Sequence, residues 1–124
     1  MAGLQAKKGE WGKVGKAMAL TRDFRESVKE RVVRDAAFRR ELLREGVECL
    51  LAGDIQTGKA VLRDYINATV GFVALAEDLG RSPKSVMRML GPSGNPQARN
   101  LFEIVRYLQQ KEGVSFQLKV RNAA

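Results

Sequence analysis

Lys84, Ser85 and Arg88 set two cations and a hydroxyl close together in the chain. At roughly 100° per residue they share one arc of a helix, with Val86, Met89 and Leu90 opposite and Met87 between. Such side chains donate hydrogen bonds in pairs to base edges or singly to phosphates, so the chemistry on offer is recognition of a polyanion. Bond-making chemistry has little to work with. The chain has no His to serve as a general base or metal ligand, and a single Cys. No Gly-rich phosphate loop is present, and no carboxylate pair stands apart from the salt-bridge pattern. The sequence therefore predicts no catalytic residues, no metal and no cofactor.

The residues before this face read as the parts that position it. Ser82 offers an N-cap oxygen and Pro83 a first helical residue with its φ already set, so a helix is predicted to start at 83. Gly80 supplies the reversal before it, and an earlier helix buries Phe72, Leu75, Ala76 and Leu79, with Ala76 small enough for the second helix to cross. Residues 72 to 90 thus have the spacing of a helix-turn-helix, which would present Lys84, Ser85 and Arg88, with Arg81, Ser82 and Pro83 beside them, to a DNA major groove. Phosphate contacts are expected from Thr69 and Gly71 ahead of the first helix and from Asn95, Gln97, Arg99 and Asn100 at the start of the next. The plainer alternative is a helical hairpin whose Lys84 and Arg88 are solvated charges.

Charge is distributed to match. The 124-residue chain carries 22 Lys plus Arg against 14 Asp plus Glu, a net +8 that favours a polyanion, an acidic partner or solubility. The excess lies in residues 1 to 20 and 65 to 124, while residues 21 to 64 are nearly balanced. This length supports one modest core, so residues 18 to 124 are expected to form a single helical domain. Residues 1 to 17 read as a flexible basic leader anchored only by Leu4 and Trp11. With Met18 a natural start, the leader is either a tail, an artefact of the assigned start, or a DNA-tracking arm using Lys7, Lys8, Lys13 and Lys16. Cys49 lies in an apolar run as a buried thiol, and no signal or membrane-spanning segment is evident, which fits a cytoplasmic protein.

Around the motif the pattern is helical. Thr21 is predicted to cap a helix carrying Phe24, Val28 and Val32, and Asp35 a longer one through Phe38, Leu42, Leu43, Val47, Leu50 and Leu51. Gly53 ends it, and Asp54 caps a third with Ile55, Ala60, Val61, Leu62, Tyr65 and Ile66. Charges alternate in these helices, so Arg39, Arg40 and Arg44 read as ion-paired surface rather than an RNA-binding array. Asn95 is predicted to cap the last helix with Pro96 at its first position, and Leu101, Phe102, Ile104, Val105 and Leu108 as its apolar face. Val114, Phe116, Leu118 and Val120 then alternate with polar residues as one half-buried strand, whose partner is a second copy, another protein's sheet edge or a minor hairpin.

Taken in order, Gly53-Asp54, Leu62-Arg-Asp-Tyr-Ile66, Leu75-Ala-Glu-Asp-Leu-Gly80, Ser82-Pro-Lys-Ser-Val-Met-Arg-Met-Leu90, Gly94-Asn-Pro96, Asn100-Leu-Phe102 and the 113 to 120 strand resemble the addiction-module antidote (HigA-like) family of lambda-repressor-like regulators. The resemblance spans Asp35 to Val120. It implies an all-α, lambda-repressor-like helix-turn-helix bundle with extra N-terminal helices and a short C-terminal β-strand. It further implies a cytoplasmic bacterial repressor that binds double-stranded operator DNA as a homodimer, on half-sites about one helical turn apart. A small toxin nuclease of the RelE/HigB type is the protein partner implied for antidotes, whereas other members act as solitary regulators. The family commonly has a polar, uncharged residue where this chain has Arg81. The alternative function is a helical protein–protein adaptor, using the balanced helices and the final strand without DNA.

Overall fold

A computed structural model describes residues 22 to 123, with the side chains of residues 22 to 26 and of Val28 outside the description. The leader with its lysines and Trp11, the Thr21 cap, and the contribution of Phe24 and Val28 to the first apolar stripe therefore lie outside the described residues. Among the described residues six helices follow one another: α1 Arg22–Arg34, α2 Ala36–Leu51, α3 Ile55–Ala68, α4 Phe72–Leu79, α5 Pro83–Met89 and α6 Ala98–Glu112. No strand occurs among the described residues, which are all-α.

Short polar residues divide the first three helices. The Asp35 carboxylate accepts the Phe38 N–H at 3.1 Å and starts α2, and Asp54 does the same for Thr57 at 3.3 Å to start α3. That accepted backbone bond holds the Asp35 carboxyl below its ordinary value, against some desolvation and helped by Arg31. Between them Gly53 turns the chain with φ +86°, so α2 and α3 fold back and form the most extensive helix pair. Arg44 pairs with Glu41 and Glu48, each at 2.6 Å, on the outer face of α2.

The core is continuous from α1 to α6. Leu42 and Leu43, Leu62 and Ile66, Leu75, Val86, Leu90 and Ile104 are fully enclosed. Two polar ties fasten α6 over it. Glu112 accepts from Arg39 Nε at 2.8 Å and from the Tyr65 hydroxyl, joining α6 to α2 and α3. Tyr107 donates to Asp78 Oδ2 at 2.5 Å, joining α6 to α4. Burial, reinforced by the hydrogen bond to Asp78, pushes the Tyr107 phenol up to about 12, and Tyr65 is raised further by burial and Glu112. The folded values exceed the ordinary value of 10.0, so this contribution to stability is present below pH 10 and is lost as pH rises toward 12. These are the chain's only two tyrosines. An absorbance titration should accordingly show no phenolate until well above pH 10, followed by ionisation coupled to unfolding. A normal titration would mean that the ties are not formed.

Several sequence expectations need correction. Asn95 does not cap the last helix. Gln97 occupies that position without a side-chain bond, the first intrahelical bond runs from the Leu101 N–H to the Gln97 carbonyl at 3.0 Å, and Pro96 precedes the helix. The cause is the turn before it, where Gly94 N–H bonds Gly91 O at 3.0 Å and leaves residues 95 to 97 to carry the chain onward. Phe102 is exposed because it falls about 100° round from Leu101, off the arc of Leu101, Ile104, Val105 and Leu108. Leu51 and Ile55 are exposed because they flank the reversal between α2 and α3. The final segment forms no strand among the described residues. Phe116 packs on the core, but Leu118 and Val120 are exposed, because the described residues include no second strand to complete a ladder.

Candidate nucleic-acid interface

The local chemistry of residues 71 to 90 builds two short helices around a tight turn. Gly71, with φ +83°, leads into α4, and Phe72, Leu75 and Ala76 bury its inner face. At the other end Gly80 takes φ +68°, and the Arg81 N–H returns to the Ala76 carbonyl at 2.9 Å, a glycine-dependent helix stop. Ser82 is extended and its Oγ accepts the Ser85 N–H at 3.1 Å, while Pro83 takes the first helical position of α5. Val86 and Leu90 anchor α5 in the core. Its other side leaves Lys84, Met87 and Arg88 exposed and Ser85 half-buried.

The far end of α5 is held by residues that local periodicity does not reveal. Lys59 of α3 is 1 % exposed and donates through Nζ to the carbonyls of Gly91 at 2.9 Å and Gly94 at 2.7 Å. One turn further along, Arg63 Nη1 donates to the Leu90 carbonyl at 2.5 Å, and one turn back Gln56 Nε2 donates to the Pro92 carbonyl at 3.1 Å. A row on α3 thus satisfies the carbonyls that α5 and its following turn leave open, and places positive charge at the negative end of α5's dipole. Desolvation, with Arg63 nearby, lowers the Lys59 pKa. Gly94 belongs to the same lock, since a Cβ there would come within 2.6 Å of the Met89 carbonyl oxygen and still closer to that of Arg88. The available sequence signal was a lone Lys within the otherwise apolar stretch from Gly58 to Leu62.

The expected contact residues divide into two groups. Ser85, Arg88 and Asn95 meet around one hollow of about 340 Å³, walled also by Met89, Ser93, Gly94 and Pro96, so the outer face of α5 and the following loop form one surface. The side chains of Lys84, Arg88 and Arg99 make no ion pair or hydrogen bond among the described residues, and all three residues are exposed. Pro83, Ser82 and Gln97 are exposed as well. Arg81 and Asn100, by contrast, engage each other. Arg81 Nη2 donates to Asn100 Oδ1 at 2.7 Å and pairs with Glu103 at 3.2 Å, which fastens the turn to α6. Thr69 is exposed but its hydroxyl donates to the Tyr65 carbonyl at 2.7 Å. Gly71 is half-buried at the start of α4.

Chemically the outer face of α5 offers two cations, Lys84 and Arg88, whose side chains have no partner among the described residues. Among the described residues no group of His, Cys, Asp and Glu is arranged to hold a metal, and no helix is long and apolar enough to cross a membrane. Three comparisons, with protein-family models, with curated proteins and with solved structures, give no match to this chain.

Proposed function

We propose that the chain is a sequence-specific DNA-binding regulator, a repressor in which α4 and α5 form a lambda-repressor-like helix-turn-helix and α5 enters the major groove of an operator. The observation that carries this reading is the contrast between the two sides of α5. Its inner face and both ends are tied down, while Lys84 and Arg88 project outward without a partner among the described residues. All three arginines of α2 are paired within the protein, whereas Lys84 and Arg88 stand together, exposed, on one short helix. An exposed surface cation contributes little to folding, whereas a Lys or Arg on a rigid short helix is the commonest donor to guanine edges. Asn95, Gln97 and Arg99 stand beside α5 as phosphate contacts. Arg81 acts on this reading as a brace between the turn and α6 rather than as a base reader, and Asn100 completes that brace. The regulator works as a dimer, because one copy of so small a surface covers too little DNA for strong specificity.

The test is the Lys84→Ala, Arg88→Ala double variant. Its far-ultraviolet circular dichroism and thermal midpoint are expected to match those of the parent, while affinity for a selected duplex falls by about 1 to 3 kcal/mol per lost base contact. Unaltered affinity in the folded double variant would remove α5 as the reading helix. The same measurement on Arg81→Ala separates brace from reader, since loss of a brace lowers the thermal midpoint as well as binding.

A further inference from the structure

The segment that follows α6 is half committed. The Val114 N–H bonds the Gln109 carbonyl at 3.0 Å and the Phe116 N–H bonds Gln109 Oε1 at 2.9 Å, while Phe116 packs on the core. From Gln117 to Asn122 the backbone makes no hydrogen bond among the described residues, and Leu118 and Val120 are 81 % and 93 % exposed. Along a strand, the N–H and C=O of alternate residues point to opposite edges. Val114 and Phe116 direct their N–H groups toward α6, so the edge carrying Ser115, Gln117 and Lys119 is the open one.

We infer that this edge pairs antiparallel with the same segment of a second copy, in the register that sets Gln117 opposite Gln117. The sequence is self-complementary about that residue. Val114 then faces Val120 and Phe116 faces Leu118, so every apolar residue of the row has an apolar partner. Lys119 faces Ser115 and Arg121 faces Gly113, so no two cations are opposed. Shifting the centre to Leu118 would set Val114 against Asn122, and shifting it to Lys119 would oppose two lysines. The same register makes Gln117, and the two Ser115–Lys119 pairs, the hydrogen-bonded positions, which is the edge that Gln109 leaves open. A two-stranded ribbon is marginal alone, but here each strand continues from a Phe116 already seated on its own core, so the joined apolar row extends both cores.

This inference names the dimer interface of the reading proposed above and rests on that reading only for its consequence at DNA; its test uses no DNA, so either can fail alone. In sedimentation equilibrium the full chain is expected to be dimeric at micromolar concentration. Leu118→Asp with Val120→Asp is expected to raise the dissociation constant at least tenfold while helical circular dichroism stays unchanged, since both side chains are exposed in the single copy. The register is read by oxidation. Gln117→Cys is expected to cross-link to itself, because facing Cα atoms of such a pair lie about 5.5 Å apart, within disulfide reach. Ser115→Cys is not, because its two copies would be separated by about 14 Å along the strands. Cys49 is buried and serves as an internal control. A monomeric chain at high micromolar concentration, an Asp double variant that dimerises like the parent, equal cross-linking of the two cysteine variants, or uptake of the segment by a different protein alone would each overturn the inference.

Discussion

Replacing Glu112 by Ala should lower the free energy of unfolding by about 2 to 4 kcal/mol, the largest effect expected of any single polar residue here. Its carboxylate is 4 % exposed and is shared by Arg39 at 2.8 Å, Arg40 at 3.8 Å and the Tyr65 hydroxyl. Removing it leaves a partly buried guanidinium and a buried phenol without their acceptor, so the cost is the loss of bonds together with the desolvation that they offset. Arg39 keeps some solvent contact and its bond to the Val32 carbonyl at 3.1 Å, which is why the figure falls below that for a wholly enclosed pair. Urea denaturation of the parent, Glu112→Ala and Tyr65→Phe tests the assignment. The Phe variant should lose about 1 kcal/mol, and a Glu112→Ala chain as stable as the parent would contradict the role given to the tie.

Lys59→Met is expected to cost about 2 to 3 kcal/mol and to impair DNA binding by more than its effect on stability explains. The Met side chain can fill the same space, but the Gly91 and Gly94 carbonyls lose a charged donor. The turn that closes α5 then loosens at the point where Asn95 and Arg88 share a surface. Measuring affinity well below the unfolding temperature separates the two effects. A variant that stays folded and binds a selected duplex as tightly as the parent would show that the lock serves folding only.

What was legible in the sequence follows from distance along the chain. Asp35, Asp54 and the Ser82-Pro83 pair are set by groups no more than about one helical turn away, and Gly80 by the turn that it must make. Their roles in the structure are the ones that their types dictate. The apolar stripes of α2, α3, α4 and α5 were legible for the same reason. Lys59 and Glu112 were not, because their partners lie 32 and 35 residues away for Lys59, and 73 and 47 for Glu112. Nothing in a helical period says which carbonyl or which arginine will be brought against such a residue. Asn95-Pro96 was misread because the same pair suits a helix start and a loop, and the turn held by Lys59 decides between them. The alternation from Val114 to Val120 finds no partner strand among the described residues. For the interface, the sequence identified the outward face of α5 but not the engagement of Arg81 by Asn100 and Glu103, which depends on how α6 returns across the turn.

Selection of duplexes from a random pool by the purified chain asks whether the outer face of α5 reads DNA sequence. Enrichment of a two-fold symmetric site with half-site centres about 10 base pairs apart is expected, and loss of that enrichment when Lys84 and Arg88 are both Ala. A folded chain that retains duplexes without sequence preference, or enriches the same site after both substitutions, would contradict it.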